Sequence, residues 1–207
     1  MAAHSMGPVS PPVSLAERPD FSVIGEIIQP RSRVLDLGCG EGALLAWLVE
    51  HKQVLARGVE IEAAQVRKAI ALGVSAYQGD IDEGLADYPD KAFDYVILSQ
   101  TLQETRSPLQ VLKEMLRVGR RAIVSFPNFG HWSVRQAMLL TGQAPKTKLF
   151  PYDWYNSPNI HFLSINDFED LCRATGFPIE KRYFLSGSRR VGTMPNLLAQ
   201  TAVFLLG

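Results

Sequence analysis

The stretch that decides the fold is Val34-Leu35-Asp36-Leu37-Gly38-Cys39-Gly40-Glu41-Gly42. Residues 33–37 form a short apolar run that ends in glycines, which reads as a buried strand. Residues 42–52 then set Leu44, Leu45, Leu48 and Val49 on one helical face, with Trp47 beside it. Strand, glycine turn and helix in succession open an alternating α/β unit. Glycines reach positive φ without steric penalty and let a ligand touch the backbone. In an open α/β sheet such a turn lies at the carboxyl ends of the strands, where ligands bind. A G-x-G-x-G alone also suits a tight turn that holds nothing, so its neighbours must decide.

Residues 54–61 read as a second strand, 62–72 as a helix closed by Gly73, and 75–79 as a short third strand. Residues 93–99 are the clearest strand in the chain. An amphipathic helix follows over 107–118, with Pro108 in its first turn, and then a fifth strand over 122–126. Upstream, Phe21, Ile24, Ile27 and Ile28 recur at helical spacing and predict an entry helix over 21–29, stopped by Pro30. Strand and helix in alternation predict a parallel sheet with helices on both faces. The last third differs. Ser164, with Asp167 three residues on, begins a helix close to a capping box, and Gly176 closes it. Residues 179–185 and 197–205 read as two strands with no helix between them, which pair only as a long-looped hairpin. A dinucleotide-binding domain would end in parallel strands instead.

The chain has 207 residues, 46% of them hydrophobic and 20% charged, which suits one globular domain over 15–207. Lys and Arg number 21, as do Asp and Glu, so no global charge draws the chain to nucleic acid or to an anionic membrane. No apolar run approaches the roughly 18 residues that span a bilayer. Cys39 and Cys172 read as reduced, buried thiols, and with four scattered histidines they predict neither a disulfide framework nor a structural zinc site. Residues 1–14 are rich in Ala, Ser and Pro and lack the apolar core of a signal peptide. They are expected to be a disordered tail, and Met6 is consistent with part of it being a remnant of expression. A cytoplasmic location is expected.

Acidic residues sharpen the ligand. Glu60 closes the second strand, 24 residues after Asp36, where a carboxylate can accept from both hydroxyls of a ribose and would repel a 2′-phosphate. Asp80 closes the third strand and can accept from an exocyclic adenine amine, while Ile81 offers an apolar face to the ring. Asp36 precedes the first glycine by two residues and suits an ammonium or sulfonium better than a pyrophosphate.

This arrangement resembles the class I S-adenosylmethionine-dependent methyltransferases over roughly 33–205. The resemblance implies a Rossmann-like sheet of seven strands, helices on both faces, with the last strand antiparallel. It also implies S-adenosylmethionine as cofactor, S-adenosylhomocysteine being the product form. Gly38, Gly40 and Gly42 fall under the methionine part, together with Asp36 and with Cys39 inside the turn. Glu60 goes to the ribose, Asp80 and Ile81 to the adenine, and Ser99 or Gln100 flanks the methionine moiety, while Ile61, next to Glu60, is also expected to bind the cofactor.

Longer stretches resemble one narrower family, that of the methionine biosynthesis protein MetW. They are Ser32-Arg-Val-Leu-Asp-Leu-Gly-Cys-Gly40, Tyr95-Val-Ile-Leu-Ser-Gln-Thr-Leu-Gln103, Val124-Ser-Phe-Pro-Asn-Phe-Gly-His-Trp132 and Leu149-Phe-Pro-Tyr-Asp-Trp-Tyr-Asn-Ser-Pro-Asn-Ile-His-Phe162. That resemblance implies a protein working beside a homoserine O-acyltransferase in bacterial methionine synthesis.

Two readings of the chemistry stand side by side. As a methyltransferase on a small metabolite, the chain needs an acceptor and in many cases a base. His131, His161, Glu104 and Asp153 are candidates, and His131, after the fifth strand, is the best placed. As a binding and regulatory protein, it needs only the cofactor and a partner. An NAD-dependent dehydrogenase would need only the turn and Glu60, but the glycine spacing and the terminal hairpin oppose it. Residues 130–162 hold Trp132, Phe150, Tyr152, Trp154, Tyr155 and Phe162 in a long connection. That density suits a lid, a docking surface, or a subdomain packing its own aromatics. Lys146, Lys148, Arg189 and Arg190 read as solvated charges.

Overall fold

The computed structural model describes residues 18–207, so the tail expected over 1–14 lies outside the described residues. The entry helix α1 (Pro19–Ile27) leads into β1 (Arg33–Leu37), α2 (Ala43–Lys52), β2 (Leu55–Glu60), α3 (Ala63–Ala71) and β3 (Ala76–Gln78). Then come β4 (Phe93–Ser99), α4 (Pro108–Val118), β5 (Gly119–Pro127) and α5 (Trp132–Thr141). The chain ends with α6 (Ile165–Thr175), β6 (Ile179–Ser186), β7 (Arg189–Arg190), α7 (Pro195–Leu198) and β8 (Thr201–Leu206). The link between β3 and β4 carries a single 3₁₀ turn, Ile81–Glu83, in place of a crossover helix.

These strands form one sheet in the order β3-β2-β1-β4-β5-β8-β6-β7. β3, β2, β1, β4 and β5 are parallel, and β8 runs antiparallel between β5 and β6. The hairpin expected at the end is therefore present, as β6 and β8. The sheet has eight strands rather than seven, because the chain turns back at Gly187 and pairs Arg189–Arg190 with the end of β6. The last strand begins at Thr201 rather than at 197. Pro195, with its preset φ, starts a helical turn that takes up Leu197 and Leu198.

Alternation sorts the core. Leu35, Leu37, Val96, Leu98, Val124 and Phe126 face α4 and α6, whose Leu112, Met115, Phe168 and Cys172 close that layer. Val34, Tyr95, Ile97, Ile123 and Val203 face the other way, against α1 and α2 through Ile24, Leu44 and Leu48. Every residue of β1 after Arg33 is buried, as expected of a central parallel strand covered on both faces. The same alternation places Asp36, Ser99 and Ser125 on the α1 side, at the carboxyl ends of β1, β4 and β5. Ser99 is the register partner of Ser125. The strand order reverses between β1 and β4, so these residues stand at the topological switch point.

Candidate functional site

The glycine turn leaves β1 in left-handed backbone: φ is +73° at Gly38, +54° at Gly40 and +78° at Gly42. Gly38 N–H and Cys39 N–H both donate to the Val59 carbonyl, at 2.8 and 3.1 Å, which anchors the turn to the end of β2. A Cβ at Gly38 would come 2.7 Å from Thr101 Oγ1, whereas one at Gly40 would enter open space. The turn is thus pinned at one glycine and open at the next.

Glu60 is 9% exposed and faces this opening. Its Oε2 accepts from Gly40 N–H at 2.9 Å and its Oε1 from Glu62 N–H at 3.0 Å. Each carboxylate oxygen has a second lone pair, so both can take another donor. Glu60 and Gly38 border two cavities. One, of about 430 Å³, is lined by Arg18, Asp36, Cys39, Gly40 and Ser99 as well. The other, of about 230 Å³, is lined also by Ile61, Asp80, Ile81, Thr101 and Glu104. Most of the expected positions therefore fall around one cleft, Asp36, Cys39, Gly40 and Ser99 in the larger lobe, Ile61, Asp80 and Ile81 in the smaller, and Gly38 and Glu60 at both. Gly42 borders neither: a Cβ there would meet Ala69 and Val74, so this glycine serves the packing of the turn against α3. Gln100 borders neither lobe. It takes a left-handed φ of +57°, and its N–H donates to the Ser125 carbonyl at 2.9 Å.

The electrostatics of the larger lobe are uneven. Asp36 is 3% exposed, and its Oδ1 has no hydrogen-bond partner. Burial pushes its carboxyl up to about 8; the nearby charges of Asp20 and Glu60 add to this, and Arg18 opposes it. Asp20, on α1, is just as buried but well partnered. Arg18 Nε and Nη2 donate to it at 3.1 and 3.0 Å, Ser99 Oγ at 2.6 Å and Ser125 Oγ at 2.9 Å. Burial raises the Asp20 carboxyl, but these bonds outweigh it and hold it below its ordinary value. The hydroxyl of Ser99 is therefore engaged with Asp20, and it accepts from Arg18 Nη2 at 2.7 Å. In the smaller lobe, Asp80 Oδ1 caps the 3₁₀ turn by accepting from Asp82 N–H at 2.9 Å, and its Oδ2 pairs with Arg106 at 2.5 Å. Glu104 is raised by burial and by Glu60.

The remaining base candidates stand apart from this cleft. His131 is 4% exposed and caps α5, its Nδ1 lying 2.8 Å from Ser133 Oγ; burial lowers its pKa. Asp153 pairs with Lys146 on the surface. His161 N–H donates to the Gln103 carbonyl at 3.0 Å. Composition and spacing gave no sign of Arg18 and Asp20. Only the docking of α1 over β4 and β5 brings them in.

Residues 130–162 divide in two. Phe150 is buried, and with Phe162 it packs on Phe129, at ring-centroid distances of 5.3 and 4.7 Å. Trp154 and Tyr155 are 80% and 71% exposed, and Leu139 and Leu140 of α5 are 85% and 73% exposed.

Among solved structures, the chain is similar to a SAM-dependent methyltransferase from Archaeoglobus fulgidus, with TM-score 0.66, 15% identity and coverage of 93% of this chain and 92% of that one. It is also similar to a SAM-dependent methyltransferase described as a possible histamine N-methyltransferase, from Thermotoga maritima, with TM-score 0.64, 20% identity and coverage of 91% and 87%. These likenesses establish the Rossmann-like methyltransferase fold. Among curated proteins, the bifunctional methionine biosynthesis protein MetXA/MetW of Rhodopirellula baltica is 38% identical over 200 residues, covering 89% of this chain and 32% of that protein. The chain spans about a third of the length of the curated relatives it matches. The family model for the methionine biosynthesis protein MetW matches residues 18–206. With the model matched from the start of α1 to the end of β8, the chain belongs to the MetW family.

Proposed function

We propose that this chain is an S-adenosylmethionine-binding protein of methionine synthesis that works in the cytoplasm beside a homoserine O-acyltransferase. The observation that carries the cofactor is the chemistry of the cleft. It presents the buried carboxylates Asp36 and Glu60 around an open glycine turn, with Asp80 and Glu104 in the adjoining lobe. Such a cleft suits a ligand rich in donors and free of phosphate. S-adenosylmethionine offers an ammonium, two ribose hydroxyls and an adenine amine. Asp36 and the turn would take the methionine part, Glu60 the ribose, and Asp80 with Ile81 the adenine. Bound there, the cofactor supplies an activated methyl group. The partner is supported by the fused MetXA/MetW relative, and the exposed aromatics of 150–162 are the surface suited to it.

A second reading, methyl transfer to a small acceptor, draws support from the fold shared with methyltransferases. Against it stands His131, which caps α5 and borders neither lobe. Calorimetry with S-adenosylhomocysteine tests the cofactor, and saturable binding is expected. Co-purification with a homoserine O-acyltransferase, and assay of acylation with and without this chain, test the partnership. If the two proteins neither associate nor alter acylation, the partnership fails.

A further inference from the structure

A separate cavity, of about 760 Å³, opens at the other end of the sheet, where β1, β2 and β4 begin. It is larger than either lobe of the cleft and shares no lining residue with them. The topology explains the opening. A parallel sheet is ordinarily covered on both faces. α2 and α3 cover β1 and β2 on one face, and α4 lies over β4 and β5 on the other. The link over 79–92, which would lay a helix across β2 and β3 on that second face, carries only a 3₁₀ turn. β2 is therefore covered in its second half alone. Leu55 and Arg57 are exposed and Ala56 is half-buried, while Gly58, Val59 and Glu60 are buried. Register sets Arg33 beside Leu55, Leu35 beside Arg57, and Val59 beside Tyr77. Leu35 and Val59 belong to the core layer beneath α4, so Arg33, Leu55, Arg57 and Tyr77 share its face.

The wall that meets this floor is fastened in place. Tyr88 Oη donates to Tyr77 Oη at 2.7 Å, and the Tyr88 ring meets Phe93 edge-on at 5.2 Å. From α4, Arg117 Nη1 donates to the Tyr88 carbonyl and Nη2 to the Leu85 carbonyl, each at 2.9 Å. Lys91 Nζ returns the tie to the Leu116 carbonyl at 2.7 Å. The cavity is thus preformed, and its volume is in the range of small-molecule sites.

Its chemistry is that of a cation beside aromatic rings. Arg33 spends Nε and Nη2 on Asp94. Arg57 makes no hydrogen bond or ion pair among the described residues, so its planar fork is unspent. Tyr77 Oη accepts from Tyr88, which leaves its own proton to donate. Burial and the Tyr88 hydroxyl hold this phenol above its ordinary value, so the proton stays on. Asp87, exposed on the wall, is the acid of the lining. Leu55 is 68% exposed and offers an apolar floor to the rings.

We propose that this cavity is a second ligand site, for an organic anion with a flat apolar body. Arg57 and Tyr77 donate to its carboxylate or phosphate, and Leu55, Tyr88 and Phe93 pack on the body. The site is independent of the S-adenosylmethionine reading.

Calorimetry on the full chain with naphthoate, naphthyl phosphate and the neutral naphthamide tests it. Both anions are expected to bind saturably, about tenfold or more tighter than naphthamide, the range of a charge-assisted fork. Whichever anion binds tighter identifies the group that the fork prefers. Arg57→Gln should remove the preference for the anions and leave naphthamide within about twofold. Leu55→Ser should weaken all three probes alike, since it strips the floor. Asp87→Asn should tighten both anions by about twofold, because it removes a like charge at an exposed position. Affinity for S-adenosylhomocysteine should be the same in all three variants, and a melting scan of each separates lost binding from lost folding. If neither anion binds, if naphthamide binds equally well, or if the preference survives Arg57→Gln, the site is overturned. Displacement of the anions by S-adenosylhomocysteine would put them in the cleft and overturn it as well.

Discussion

Asp36 is caught between two demands. The sheet's alternation turns it toward the buried layer beneath α1, where no donor meets Oδ1. Under the proposed function, the ammonium of the ligand would supply that donor. Burial raises this group from 3.8 to about 8, so the folded chain holds a proton that the unfolded chain releases at much lower pH. Between those values the folded state binds more protons, so stability falls as pH rises through that window. In the ligand-free chain, Asp36→Asn should remove this part of the pH dependence and raise Tm by a few degrees at pH near 8. The same variant should bind S-adenosylhomocysteine about tenfold more weakly or worse, since a hydrogen bond to a charged group is worth roughly 1.5–3 kcal/mol. Melting curves across pH and calorimetry check the two halves; a variant with the wild-type pH slope would show that Asp36 is not the buried acid.

At the scale of elements, the turn between β1 and α2 has two separable requirements. Gly38 needs its left-handed φ, and it needs room beside Thr101. Gly38→Ala should cost about 1–2 kcal/mol for the backbone alone, plus the clash. Adding Thr101→Ala should recover the clash and leave the backbone cost, a non-additivity that denaturant unfolding of the double variant reads directly. At the start of α6 the capping box expected at Ser164 and Asp167 is complete. Asp167 N–H donates to Ser164 Oγ at 3.3 Å, and Ser164 N–H donates to Asp167 Oδ2 at 2.8 Å. Ser164→Ala should cost about 1 kcal/mol in the same unfolding experiment. Both devices were readable in advance because they are local: a glycine run after an apolar strand, and a serine three residues before an acid. Arg189–Arg190 was not readable as a strand, since two residues carry no period. Leu197 and Leu198 read as the start of β8 because an apolar run continues through them, and Pro195 diverts them into a helical turn. The site divides along the same line. Glu60 and Asp80 announce themselves as acids at strand ends, whereas Asp20 reaches Ser99 and Ser125 across 79 and 105 residues of sequence. No local pattern encodes a contact of that separation.

At the scale of the whole molecule, the wall of the cleft is tied to a segment whose aromatics are exposed. After β4, Thr101 and Glu104 line the smaller lobe, while the carbonyl of Gln103 between them accepts from Ile160 and His161 N–H at 2.8 and 3.0 Å. The segment over 150–162 is thereby fastened to the wall of the cleft on one side and to Phe129 on the other. The most exposed apolar side chains of this region are Trp154, Tyr155 and, from α5, Leu139 and Leu140, at exposures of 71–85%. Trp and Tyr at that exposure contribute little to the fold, because they bury little area in it. They are, however, the residue types that carry most of the energy of protein interfaces. Replacing Trp154 and Tyr155 together by Ser should therefore change stability by no more than about 0.5 kcal/mol. Affinity for S-adenosylhomocysteine should be unchanged, since neither residue borders a lobe. Capture of a homoserine O-acyltransferase by the immobilised chain should fall about tenfold or more, as loss of an interface hot spot does. The combination is what discriminates. Loss of capture with folding and ligand binding intact assigns the face to the partner. Undiminished capture moves the contact elsewhere on the molecule, and a large drop in stability makes these aromatics part of the fold.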